Sequence, residues 1–186
     1  FIDKVLGVGT MFVFFLTAIS LLIINRCKEE KQRRVLAILF LIVFAIYILS
    51  VLFFYYTKFQ PFSDGYGDYI IYEQQAEQIA QRVHRGNFSL ERLEVEGISL
   101  SHSYPVIIGY IYAFTMPNML LGQIFNAWFV AVLICFLYLI IREIGGTEKE
   151  GFLPGLVASC YPSLVLYGSL LLKEALVIAL TLIALF

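Results

Sequence analysis

Asn25-Arg26-Cys27-Lys28-Glu29-Glu30-Lys31-Gln32-Arg33-Arg34 separates two apolar runs, Val5 to Ile24 and Val35 to Tyr56. Neither run holds a charge, and each reaches the ~20 residues that a helix needs to cross a hydrocarbon core of about 30 Å. The loop between them carries five Lys or Arg in ten residues, which places it in the cytoplasm under the positive-inside rule. The second run ends in Phe53-Phe54-Tyr55-Tyr56, and tyrosine there suits the aromatic belt at the opposite interface. The fold class read from this stretch is all-α, a polytopic transmembrane helical protein.

Composition agrees. Of 186 residues, 60% are hydrophobic and 15% charged, against roughly 45–50% and about 25% in soluble domains. The net charge of −1 supplies no basic field, so nucleic acid is not an expected partner. Cys27, Cys135 and Cys160 show neither CxxC spacing nor a neighbouring His, and they read as free thiols rather than as a metal or redox centre. The chain starts at Phe1 without a signal peptide and stops at Phe186 within an apolar run, so both ends read as cut.

A polar stretch from Thr57 to His102 follows the second span, with Asp64, Asp68, Glu73, Glu77, Glu91, Glu94 and Glu96. Asp68 to Arg85 is predicted to form an amphipathic helix: Ile71, Tyr72, Gln75, Ala76, Ile79 and Val83 share a face, and Gly86-Asn87 ends it. Ser103 to Ile141 is uncharged and would measure about 58 Å as one helix, too long for one crossing. Pro105 and Pro117 divide it into a short segment, Tyr104 to Met116, and a third span, Asn118 to Ile141. The short segment reads as interfacial or re-entrant, with two tight spans as the rival reading. Only under the first does the turn Arg142 to Glu150 return to the cytoplasm. A fourth span is predicted from Gly151 to about Tyr167, turning at Gly168-Ser169, so that Lys173-Glu174 sits at the outer interface beside Asp64 and Asp68. Burial at the bilayer centre would cost such charges roughly 2.5–3.5 kcal/mol each.

An aspartate at the head of an interfacial helix can accept a proton from a hydroxyl or hold a cation. It can equally cap the helix, and Asp64 and Asp68 are open to both readings. Lys173 and Glu174 read either as a solvated pair or as a site in which Lys173 binds a phosphate. Arg82 and Arg85 are phosphate candidates or solvated-face residues, and His102 is a substrate ligand or a plain hydrogen-bonding His. His84 carries no signal. Gly7, Gly9, Gly65 and Gly67 form no phosphate loop, because no strand precedes them and no Gly-Lys-Ser/Thr follows.

The order of motifs resembles the GT-C glycosyltransferases: the dolichyl-phosphate-mannose protein mannosyltransferases, the aminoarabinose transferases and the bacterial RgtA/B/C/D-like enzymes. The resemblance rests on Asp68-x-x-x-Tyr72-x-x-x-Ala76 with Gly86, then Ser103-Tyr104-Pro105 through Tyr112, then Ile141-Arg142-Glu143-Ile144-Gly145-Gly146, then Tyr161-Pro162-Ser163 and Lys173-Glu174. It covers residues 35–186 in serial order, each motif being loose. Residues 1–34 stand apart as an additional helix and basic loop, and the family's later spans would follow residue 186. The external loop would run from 57 to 117.

The resemblance implies a hexosyl- or pentosyltransferase in the plasma membrane of a prokaryote, moving a sugar with inversion from a polyprenyl-phosphate donor to a glycan, lipid or protein acceptor. Asp68 would be the catalytic base, assisted by Asp64. Lys173, Glu174, His102 and Arg82 would bind substrate or the lipid phosphate. A divalent cation, Mg or Mn, would sit on Asp68 and Glu174 only if the reaction is metal-dependent. Two other classes compete, a transporter or flippase of lipid-linked sugars and a noncatalytic membrane scaffold. Transporters place charge inside their spans, whereas here charge gathers in one loop.

Overall fold

The computed structural model describes residues 2–58, 67–88, 94–95, 98–99 and 103–185. Among the described residues eight helices run in order: α1 (Ile2–Ile24), α2 (Glu30–Thr57), α3 (Asp68–His84), α4 (Tyr104–Phe114), α5 (Met119–Glu143), α6 (Glu148–Ser159), α7 (Pro162–Ser169) and α8 (Glu174–Leu185). Between α3 and α4, β1 (Glu94–Val95) pairs antiparallel with β2 (Ile98–Ser99), so the helical fold carries one minimal ladder. Among the described residues α1, α2 and α5 are long and apolar enough to cross a membrane. Helices α6 and α7 make a fourth crossing if taken as one broken span.

Helix α5 is the spine. Its face of Leu121, Ala127, Val130, Ala131, Ile134 and Tyr138 is wholly buried and meets α2, α6, α7 and α8. Opposite it, α2 buries Leu39, Val43, Tyr47 and Val51 at i, i+4, i+8 and i+12, one side of a helix. Helix α1 is more loosely held. Trp128 Nε1 donates to Ser20 Oγ at 2.7 Å and fixes α1 to the spine.

The two ends of the bundle differ in charge. Lys31 Nζ lies 3.1 Å from Glu148 Oε1, and Arg142 Nη2 lies 3.9 Å from Glu29 Oε2. Pairs with one exposed partner, as these have, stabilise little, but they locate the loop at 25–34 and the turn at 142–150 at one end, as the charge reading expects. At that turn Gly145 takes φ +93°, a left-handed conformation open to glycine at little cost, and Arg142 Nη1 donates to the Gly146 carbonyl.

The amphipathic helix is present as α3, with its buried face turned slightly from the predicted one. Tyr69 and Ala80 join Tyr72, Gln75, Ala76 and Ile79 in the core, while Ile71 and Val83 are half-buried. Gly86 at φ +74° ends the helix, its N–H donating to Val83 and that of Asn87 to Arg82. Helix α4 has 11 residues, about 16 Å, half the hydrocarbon thickness. It packs closely on α3, because Gly109 lets the α4 backbone approach to where a Cβ would lie 2.6 Å from Ile79. His84, silent in the sequence, bonds through Nε2 to the Ala113 carbonyl at 2.8 Å and ties the end of α3 to α4.

The predicted continuous span from Gly151 to Tyr167 is not continuous. Helices α6 and α7 bend by 66° at Cys160-Tyr161. Pro162 lacks an N–H and disfavours helical ψ in the residue before it, and Tyr161 takes φ −64°, ψ 125°. The chain still climbs the spine: Gly151 packs on Tyr138, Gly155 on Ile134, Gly168 on Val130, and Leu171 on Gly122. From Tyr138 to Gly122 the spine rises about 24 Å, so this broken segment traverses most of a hydrocarbon core.

Single cysteines introduced into a Cys-free background at Lys28 and Lys149 are expected to react with an impermeant maleimide from the same membrane face. A cysteine at Gln78 is expected to react from the other. Lys149 labelling together with Gln78 would refute this arrangement.

Candidate functional site

Asn126 sits within the uncharged third span, fully buried. Its amide nitrogen donates to the carbonyls of Leu170 at 2.6 Å and Leu172 at 2.7 Å, and its oxygen accepts from the Tyr104 hydroxyl at 2.8 Å. Leu170, Leu171 and Leu172 form a buried, non-helical link between α7 and α8. Backbone in such a place cannot rely on water, so a side chain must meet its carbonyls. One amide therefore fixes the link that carries Lys173 and Glu174 and orients Tyr104 on α4.

Around this anchor Tyr72 of α3 stacks edge-on against Tyr104, with ring centroids 5.5 Å apart at 66°. Lys173 hydrogen-bonds the Tyr72 hydroxyl. Burial raises the Tyr72 phenol above its usual range; the Lys173 ammonium opposes that rise, and the Asp68 and Glu174 carboxylates add to it. Tyr104 is raised further, by complete burial first, with its bond to Asn126 acting against this and Glu174 and Tyr72 adding to it. The electrostatics thus join Asp68, Tyr72, Tyr104, Lys173 and Glu174 in one cluster, although Asp68 and Lys173 stand 105 positions apart in the sequence.

Asp68 opens α3 and is exposed. It is not the cap: Gly67 holds that position, without a side-chain bond. A carboxylate in the first turn still meets the positive end of the helix dipole. Glu174 occupies the equivalent place on α8, and its Oε2 is buried without a hydrogen-bond partner, an unmet demand of the kind that gathers at functional positions. Arg82 lies fourteen residues along α3 from Asp68, about 21 Å away along the helix, so it is not brought to this cluster. Asp64 and His102 lie outside the described residues. Among the described residues no group of three or more His, Cys, Asp or Glu is placed to hold a metal ion.

Sequence reasoning did not single out Asn126, and it named Tyr104 within a motif and Glu73 within the acidic stretch without giving either a role. A lone amide within an apolar span was the available signal, since polar side chains at membrane depth normally have a partner. Glu73 is half-buried and accepts the Met119 N–H at the head of α5. Its carboxyl is pushed up to about 7, first by burial and then by the neighbouring Glu77 carboxylate, against the Met119 bond. Tyr112, whose buried hydroxyl has no partner, lies within the field of both glutamates.

Comparison with protein-family models, with curated proteins and with solved structures returned no match.

Two outcomes follow from this geometry. Asn126→Leu keeps the γ-branched shape and removes three bonds, so the stability of the detergent-solubilised protein should fall by roughly 2–5 kcal/mol, at about 0.6–1.7 per interhelical bond, and its melting temperature with it. An unchanged melting temperature would mean that the 170–172 link is held otherwise. For Glu73 the folded value, about 7, lies above the reference value of 4.5. Its contribution to stability is therefore complete below that reference and lost as pH rises through about 7. Glu73→Gln should melt higher than the parent at about pH 8 and show a flatter profile between about pH 5 and 8. Parallel profiles would remove Glu73 as a titrating group in that window.

Proposed function

We propose that this chain belongs to a GT-C-type glycosyltransferase that transfers a sugar from a polyprenyl-phosphate donor to a hydroxyl acceptor at the outer face of a prokaryotic plasma membrane. The observation that carries the reading is the meeting of Asp68 with Tyr72, Lys173 and Glu174, at the end of the bundle opposite the basic loop. Such a site needs a base open to water, a cation near the membrane surface and a wall that orients them. Asp68 is exposed, Lys173 is half-buried, and the Tyr72–Tyr104 pair forms the wall.

In this mechanism the Asp68 carboxylate takes the proton of the acceptor hydroxyl as its oxygen attacks the anomeric carbon. The bond from that carbon to the phosphate oxygen breaks on the opposite face, which inverts the anomer. The polyprenyl phosphate leaves with the bonding electrons, and Lys173 meets the charge that grows on its oxygens. Tyr72 holds the ammonium through its hydroxyl. Glu174, beside Lys173 in sequence, balances the cation.

The distribution of charge favours surface chemistry over carriage through the membrane. No Asp, Glu, Lys or Arg lies between Val5 and Ile24, between Val35 and Tyr56, or between Met119 and Ile141, whereas transporters commonly place such groups near the bilayer midplane.

Asp68→Asn in the full-length protein should lower sugar transfer by 10²–10⁴-fold with an unchanged melting temperature. Lys173→Gln should raise the apparent KM for the lipid donor more than it lowers kcat, because its charge acts on the phosphate in both ground and transition states. Near-parental turnover in Asp68→Asn would exclude it as the base.

A further inference from the structure

At the end of the bundle opposite that site, α1 and α2 diverge and leave a groove of about 600 Å³. Leu21, Leu22 and Ala37 are among its apolar walls, and Asn25, Arg33 and Arg34 stand at its mouth. The groove lies where the last two turns of α1 face the first turns of α2, so its walls are at membrane depth and its mouth is at the interface.

The cations around this loop are not equivalent. Lys31 is engaged by Glu148, and Arg34 by Glu30 one turn before it. Arg33 forms no ion pair with any described residue and is half-buried. A guanidinium held against an apolar groove at an interface is arranged for an anion whose remainder is apolar. Its planar fork matches phosphate oxygens, and basic pockets between membrane helices on the positive side suit anionic lipid headgroups.

A second groove at the same end, of about 420 Å³, is lined by Val35, Ile38, Glu148, Lys149, Phe152 and Leu153. There the Glu148 carboxylate, which holds Lys31, is itself part of the lining, and a carboxylate in the wall repels an anion; Glu30, which pairs with Arg34, does not line the first groove. Both grooves have apolar walls, and only the first, which is also the larger of the two, presents two guanidiniums and an amide at its mouth.

We infer that the α1–α2 groove is a binding site for one anionic glycerophospholipid, its phosphate on Arg33, unpaired among the described residues, and an acyl chain against Leu21, Leu22 and Ala37. Arg34, exposed and shared with Glu30, adds charge at the rim. The site also gives a role to α1, the least embedded of the spanning helices: a lipid seated there fills the gap between α1 and α2. It does not depend on the enzymatic reading.

The test is native mass spectrometry of the full-length protein released from detergent with an equimolar mixture of phosphatidylglycerol and phosphatidylcholine of identical chains. One phosphatidylglycerol should be retained in preference. The double variant Arg33→Gln/Arg34→Gln should retain it about thirtyfold less, taking the usual contribution of each interfacial cation. Lys28→Gln, on the same loop but outside the groove, should retain it as the parent does. Leu22→Trp, which fills the groove and leaves both guanidiniums, should also lose it. Equal retention of the two lipids, or unchanged selectivity in the double variant, would overturn the site. Displacement of the lipid by glycerol phosphate at equal concentration would show a headgroup contact alone and overturn the groove.

Discussion

A carbonyl in hydrocarbon must find a donor within the protein, and the stretch from Glu148 to Glu174 breaks its helix twice under that constraint. At the first break the Tyr47 hydroxyl, fully buried on α2, donates to the Ser159 carbonyl at 3.0 Å. At the second, the Asn126 amide donates to Leu170 and Leu172. A helix would have met these demands from its own N–H groups. Here two side chains on neighbouring spans meet them instead, so the broken path holds only while α2 and α5 are in place.

The breaks have a consequence at the far end of the crossing. A straight helix from Gly151 would carry Lys173 about 33 Å along its axis. The bent path covers less height per residue and delivers Lys173 and Glu174 to the level of Tyr72 and Tyr104, with Asn126 below them. Tyr104 bonds the same amide that holds the link. Movement of α4 and movement of the Lys173 segment are therefore coupled through one residue, and substitution there is felt at both. Helices α3 and α4, clamped by Gly109 and the His84–Ala113 bond, bring Asp68 and Tyr72 to the cluster as one unit.

The bundle is also electrostatically two-ended. One end collects Arg26, Lys28, Lys31, Arg33, Arg34 and Arg142, partly paired with Glu29, Glu30 and Glu148. The other collects Asp68 and Glu174 around Tyr72 and Lys173, with Glu73 and Glu77 beside the head of α5. Charge at the first end ties the 25–34 loop to the 142–150 turn and, in the proposed lipid site, binds. At the second, glutamate burial against the head of α5 raises a carboxyl into the neutral range, which places titration within the loop assembly itself.

Spans, basic loop and amphipathic helix were legible in the sequence because each depends on a local property: uncharged length, cation density, or a period of 3.6 residues. Asp68, Lys173 and Glu174 could be singled out for the same reason, since charge beside an apolar run is visible without coordinates. The break at Tyr161 had a local cause in Pro162, yet its consequence was not local: a proline alone does not say whether a span kinks, ends or turns back. Only the tertiary structure decided that the chain continues upward, because Tyr47 and Asn126, 112 and 44 residues away from the carbonyls they meet, make a broken helix tolerable in an apolar setting. It likewise decided which charges share a site, joining Lys173 to Tyr72 and leaving Arg82 at the other end of α3. Partners distant in sequence set both outcomes, and their pairing exists only once the helices have packed.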